Sequence, residues 1–149
     1  MNKKFNIIIT NTNRSVIYLN VFKKNNLLPE HIVYLDNNNK NKAASKIKKI
    51  LKSHMYLTKT FLTDNINKKD VVKYIVSLKL EYIIYSGYPG SIIKNEKILK
   101  KNIIHSHPGL LPQYKGSTTI FYSLLKNNKI FFSTIILNKI IDSGSILYV

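Results

Sequence analysis

The sequence predicts an α/β domain built on a mostly parallel sheet with helices on both faces. Three observations carry that expectation. Short β-branched runs recur along the chain, at Ile7-Ile8-Ile9, Ile32-Val33, Ile83-Ile84 and Ile103-Ile104, and strands that are apolar at consecutive positions are strands buried on both sides. Between them lie longer stretches whose apolar residues return every three or four positions, the period of a helix packed by one face. The 149 residues carry no internal repeat and no linker, so one domain spanning 1–149 is expected. Strands alternating with helices at this spacing pair in parallel, because a parallel pair needs a crossover between its members.

The elements follow in order. The first strand is expected at 5–10, then a polar turn, Asn11-Thr12-Asn13-Arg14-Ser15, with Ser15 as the expected N-cap. A helix carrying Val16, Ile17, Leu19, Val21 and Phe22 runs to Asn25-Asn26, and its N-terminus offers a place for an anion. A second strand is expected at 31–35, an Asn-rich loop at 36–39, and a basic helix at 42–52 with Ala43, Ile47, Ile50 and Leu51 inward. A short third strand is expected at 55–57, a helix at 70–80 and a fourth strand at 82–86. That strand enters Gly87-Tyr88-Pro89-Gly90, a tight turn at the edge of an open α/β sheet where ligands bind. A helical turn within 91–100 and a fifth strand at 102–105 come next. The helix after them is expected to begin at an N-cap, Ser117, and to bury Ile120, Phe121, Leu124 and Leu125. A strand at 131–137 and the start of another at 146–149 follow.

Composition narrows the function classes. Hydrophobic residues make up 44% and charged residues 21%, which suits a packed globular chain rather than a disordered one. No apolar run reaches membrane-spanning length, and the start, Met1-Asn2-Lys3-Lys4, does not read as a signal peptide. The absence of cysteine excludes disulfides and thiolate metal sites and fits a cytoplasmic protein. The formal net charge of +17 comes from Lys spread along the chain beside abundant Asn and Ile, the pattern of A/T-rich coding. Its dense cluster at 40–52 reads as the solvated face of a helix. Nucleic acid is therefore a lesser expectation than an anionic small molecule drawn in by long-range attraction.

The chemistry concentrates in His105-Ser106-His107-Pro108-Gly109-Leu110-Leu111-Pro112-Gln113-Tyr114-Lys115-Gly116. Two imidazoles one residue apart face the same side of an extended chain. Two prolines and two glycines then impose a stiff, specially shaped loop. A histidine at a strand end is commonly structural, so the pair alone decides nothing. A metal is not expected, since only His31, His54 and scattered carboxylates remain to complete a ligand set.

The stretch His107-Pro108-Gly109-Leu110-Leu111-Pro112, with Tyr114-Lys115-Gly116 after it, resembles the signature loop of the folate-dependent formyltransferases, whose usual pattern is Asn-x-His-Pro-Ser-Leu-Leu-Pro. A second landmark of that family, an Asp in a Gly-x-Asp-x-Gly-like turn, matches Ile140-Ile141-Asp142-Ser143-Gly144. The resemblance implies a Rossmann-like formyltransferase fold, here short of the family's full domain. It implies transfer of a formyl group from 10-formyltetrahydrofolate to a primary amine, that of a small molecule such as an amino-sugar nucleotide. Methionyl-tRNA, and a relative that keeps the fold without the chemistry, are the alternatives.

By the same resemblance His107 would polarise the formyl oxygen or relay a proton. Asp142 would orient His107, hold it charged, or accept the amine proton through a water. Gly87, Tyr88 and Pro89 would border the folate, and Lys115, Gly116 and Ser117 the substrate. The departure is His105, which stands where the family has Asn. An imidazole N–H can donate to an oxyanion as an amide does, though with a dependence on protonation that an amide lacks.

Overall fold

The computed structural model describes residues 4–38, 41–52, 59–80, 82–87 and 93–149. Among these, seven strands form one sheet: β1 (Asn6–Thr10), β2 (His31–Leu35), β3 (Thr60–Thr63), β4 (Tyr82–Ser86), β5 (Asn102–His107), β6 (Ser133–Ile136) and β7 (Ser145–Tyr148). Their order is β3-β2-β1-β4-β5-β6-β7. The first five are parallel, and β6 and β7 add antiparallel to the β5 edge. Helices α1 (Asn13–Lys24), α2 (Lys42–Leu51), α3 (Lys69–Ser77) and α4 (Glu96–Leu99) make the crossovers, and α5 (Thr119–Asn127) joins β5 to β6.

The isoleucine runs explain the layering. Side chains alternate across a strand, so Ile7 and Ile9 meet Val16, Leu19, Ala43 and Ile47 of α1 and α2, while Ile8 meets Val71 and Ile75 of α3 with Ile98 of α4. Ile7, Ile8 and Ile9 are fully buried, each burial contributing about 1.5–3 kcal/mol. Helices thus cover both faces, as the double-sided apolar runs require.

Several expectations shift. The residues of the expected third strand, 55–57, lie outside the described residues, and the observed β3 uses Thr60-Phe61-Leu62-Thr63, an edge strand with Leu62 exposed. The N-cap of α1 is Thr12, whose hydroxyl accepts from the Ser15 amide. Ser15 is instead buried inside the helix, its hydroxyl bonded to Ser86 Oγ at 2.9 Å and accepting from the Thr10 amide at 3.2 Å. The helix expected to bury Phe121, Leu124 and Leu125 presents its other side. Thr119 and Ser123, four residues apart, are the buried pair, while Leu125 is 82% exposed and Phe121 63%. The reason is local: the Thr119 hydroxyl donates to the Pro108 carbonyl, and only small side chains let the helix approach the 107–116 loop that closely. Its cap is Thr118 in the left-handed region (φ 62°) rather than Ser117.

At the carboxyl ends of β1 and β2, Asn11 ties the loops together. Its amide donates to Asp36 Oδ1 at 2.9 Å, and its oxygen accepts from Tyr34. Burial alone would raise the Asp36 carboxyl, but the Lys48 ion pair at 2.8 Å, the Asn11 amide and the Asn38 N–H outweigh it and hold it below its ordinary range.

One buried group works against the fold. Asn6 is 1% exposed, and neither of its side-chain polar atoms has a hydrogen-bond partner among the described residues. Replacing an unpaired buried amide by an apolar group of similar shape removes a desolvation penalty of about 1–3 kcal/mol. Asn6→Leu is therefore expected to raise unfolding free energy by about 1 kcal/mol or more, read as a higher denaturant midpoint at unchanged slope.

Candidate active site

Strand β5 runs two residues further than its apolar content suggests and includes both histidines. Its final residues pair with β6, His105 opposite Ile135 and His107 opposite Ser133. Odd-numbered residues of β5 share a face, so Ile103 enters the core beside α4, and His105 and His107 continue that line into a cleft of about 450 Å³. The cleft is walled by Tyr85, Ile93, Leu99, Leu137, Ile140 and Ile141, and Arg14, His105, His107, Asn138 and Asp142 supply polar groups. A volume of this size lined largely by apolar groups with a few polar ones suits a small-molecule site.

The His107 ring is buried and held at both nitrogens. Nδ1 lies 3.3 Å from Asp142 Oδ1, and Nε2 lies 2.8 Å from the Tyr114 carbonyl oxygen. Both partners are acceptors, so each contact is a bond only when that nitrogen carries hydrogen. Asp142 sits in the left-handed region at φ 50°, which a short polar side chain tolerates better than most. Its second oxygen accepts from the Gly116 amide at 2.8 Å. Gly116 itself has φ 91°, a conformation open to glycine. One carboxylate thus joins the 138–143 loop to the 107–116 loop and aims His107.

The 107–116 loop is braced from below as well. Ser133 Oγ donates to the Gly109 carbonyl at 2.7 Å and accepts from the Leu111 amide at 3.0 Å. A side chain at Gly109 would start 2.8 Å from Thr119 and 2.9 Å from His107 Nε2. The glycine at this place, where the resembling family usually has Ser, leaves room for the buried imidazole.

The His105 ring is half-buried. Its Nδ1 lies 3.2 Å from the Tyr85 carbonyl oxygen, and the ring lies against the Tyr85 side chain with centroids 6.0 Å apart. Burial pushes its pKa below the ordinary histidine value. Arg14 and His107 push the same way, against the Tyr85 carbonyl and Asp142, which favour the charged ring.

Of the residues expected from sequence, His105, His107 and Asp142 come together, and Gly116 and Ser117 line the cleft with them. Lys115 lies outside the lining, and its ammonium donates to Ser143 Oγ at 2.8 Å. Gly87 directly follows β4, and its carbonyl accepts from Arg14 Nη2 at 3.0 Å. Tyr88 and Pro89 lie outside the described residues. Among the described residues, no group of three or more His, Asp or Glu side chains gathers as a metal would need. Arg14 is the residue that sequence reasoning missed. Its guanidinium reaches across the ends of β4 and β5, to Gly87 and, at 3.4 Å, to the Ser106 carbonyl. Nothing in a polar turn at 11–15 signals partners so far along the chain.

The depressed His105 value has a consequence for stability. The unfolded ring, with its ordinary value of 6.5, takes up a proton before the folded one as pH falls. Stability from the neutral ring is therefore full above about 6.5 and declines below it toward the lower native value. Wild-type protein is expected to lose more stability than His105→Gln between about pH 7 and pH 5, measured by denaturant unfolding at each pH. Equal losses would contradict it.

Comparison with known proteins bears on the family and the fold. A family model described as formyl transferase matches residues 3–149. Methionyl-tRNA formyltransferase of Helicobacter pylori is 33% identical over 101 residues, covering 60% of this chain and 33% of the relative. That of Finegoldia magna is 32% identical over 88 residues, covering 57% and 28%. The chain spans about a third of the length of these relatives. Among solved structures, phosphoribosylglycinamide formyltransferase from Anaplasma phagocytophilum superposes with a TM-score of 0.67 at 14% identity, covering 99% of this chain and 70% of that one. A sugar N-formyltransferase from a Shewanella species does so with a TM-score of 0.60 at 22% identity, covering 99% and 56%. At those identities the likeness is one of fold, the Rossmann-like sheet with its antiparallel edge. The match over 147 of its 149 residues, 3 through 149, is what assigns the chain: it belongs to the formyl transferase family.

Proposed function

We propose that this chain carries the catalytic part of a cytoplasmic enzyme that transfers a formyl group from 10-formyltetrahydrofolate to a primary amine. The observation that carries the reading is the buried His107–Asp142 pair at the head of an apolar cleft. The walls of Tyr85, Ile93, Leu99, Leu137, Ile140 and Ile141 suit the flat face of a folate heterocycle. The 138–141 segment borders the same space. When bound, the folate supplies a formyl group on nitrogen, an amide carbon open to attack.

Acyl transfer of this kind asks the protein for two things: a donor aimed at the oxygen where negative charge develops, and a route for the amine's proton. His107 suits the first. Its Nε2 hydrogen is given to the Tyr114 carbonyl, and exchange of that weaker acceptor for a charged oxygen would strengthen the bond as the reaction proceeds. Asp142 fixes the ring from behind and stabilises positive charge on it.

The acceptor is read as a small amine, such as an amino-sugar nucleotide, in line with the fold likeness to a sugar N-formyltransferase. A second reading, methionyl-tRNA, is favoured by the relatives at 32–33% identity and by a net charge of +17 suited to a polyanion. Presenting both acceptors, and glycinamide ribonucleotide, with a labelled formyl donor separates them.

With the acceptor that supports turnover, His107→Asn and Asp142→Asn are each expected to lower the rate by about 100-fold or more. The double variant is expected to be little worse than the worse single one, because the two side chains act as a unit. Near-wild-type rates in both single variants would remove the pair from the mechanism.

A further inference from the structure

We infer that His105 accepts the proton of the incoming amine through its Nε2 lone pair, a role that an amide at this position could not fill. The inference rests on the formyl-transfer reading given above and assigns that reaction its base. It starts from a hydrogen bond. A carbonyl oxygen has no hydrogen to give, so the 3.2 Å contact between His105 Nδ1 and the Tyr85 carbonyl exists only with the proton on Nδ1. In a neutral imidazole the other nitrogen then carries the lone pair. Among the described residues no hydrogen bond occupies Nε2, and the ring lines the cleft two residues from His107, on the same face of β5.

The surroundings keep the ring neutral enough to serve. Four neighbours bear on its charge: the Arg14 guanidinium from α1, the Tyr85 carbonyl and ring from β4, His107 from its own strand, and Asp142 from the 138–143 loop. Burial, Arg14 and His107 oppose protonation, while the Tyr85 carbonyl and Asp142 support it. A base held neutral at physiological pH, yet close to a carboxylate that steadies its charged form, is matched to transient proton transfer.

The roles divide between the two histidines. His107 has an acceptor at each nitrogen and is arranged to donate, and His105 has one nitrogen committed and one lone pair open. As the amine's electron pair forms the new bond to the formyl carbon, the carbonyl π pair moves onto oxygen. The nitrogen's proton passes to His105 Nε2. When the oxygen's pair returns, the bond between the carbon and the folate nitrogen breaks, and its electrons stay on that nitrogen. His105 gives the proton back to it. No net proton is gained or lost.

The first test needs neither donor nor acceptor. Long-range proton–nitrogen NMR of the labelled full chain at neutral pH, with His105→Gln identifying the signals, reads which ring nitrogen is protonated. The inference expects a protonated Nδ1 and a bare Nε2; a proton on Nε2, alone or together with one on Nδ1, overturns it. The second test is turnover. His105→Asn, which keeps a donor and loses the base, is expected to be slower by about 100-fold and to lose the acidic limb of the wild-type rate profile. Turnover equal to wild type would overturn the inference in favour of a simple donor. If wild-type protein transfers formyl to no acceptor, the functional reading fails, while the NMR result still tells whether His105 presents a lone pair to the cleft.

Discussion

The carboxylate of Asp142 is the point on which the site depends. One oxygen meets the His107 ring and the other the Gly116 amide, so a single side chain determines the spacing between two loops 26 residues apart. A carboxylate can do this because it offers several acceptor directions on one rigid plane. The cost is local: an L-residue held at φ 50°. Strain of this sort persists where surrounding bonds over-determine the backbone. Here the Asn138 amide donates to the Ser143 carbonyl, and the Ile140 amide donates to Asn138 Oδ1. The Lys139–Glu96 pair at 2.6 Å tethers the loop to α4, though both partners are exposed and such a pair contributes little.

Beneath that carboxylate, β5 serves core and site with one alternation. Ile103 is buried among the residues of α3 and α4, and the next two positions on its face carry the imidazoles. The strand's pairing changes along its length, parallel to β4 through Ile104 and antiparallel to β6 through His107. The antiparallel partner places Ser133 beneath the 107–116 loop, where its hydroxyl both donates and accepts. The loop is therefore gripped from the sheet by Ser133, from the helix by Thr119 and from the facing loop by Asp142. Three independent anchors confine the loop, and His107 with it, to one narrow geometry.

The same demands explain the apolar surface of α5. A helix that must lie close to a loop turns its smallest residues toward it, and its large residues then point outward. Thr119 and Ser123 take the inner positions, leaving Phe121, Tyr122, Leu124 and Leu125 exposed. Close approach to the site outranked burial of the helix's own apolar face.

How much of this was legible in the sequence follows from the range of each interaction. Local periodicity and β-branched runs mark β1, β2, β4 and α2 nearly to the residue, because consecutive burial on two faces leaves its mark in consecutive residues. The resemblance of the 107–116 loop and the 140–144 turn to formyltransferase landmarks made His107 and Asp142 candidates. What no stretch of sequence contains is the partner of each polar group. The reach of Arg14 to Gly87 and Ser106, the seat of Ser15 against Ser86, and the inward turn of Thr119 arise from contacts across 11 to 92 residues. The tautomer of His105 belongs to the same class: it is dictated by the Tyr85 carbonyl, a backbone group 20 residues away that any side chain at position 85 would carry. Sequence names the imidazole; only the packing of β4 against β5 decides which of its nitrogens holds the proton.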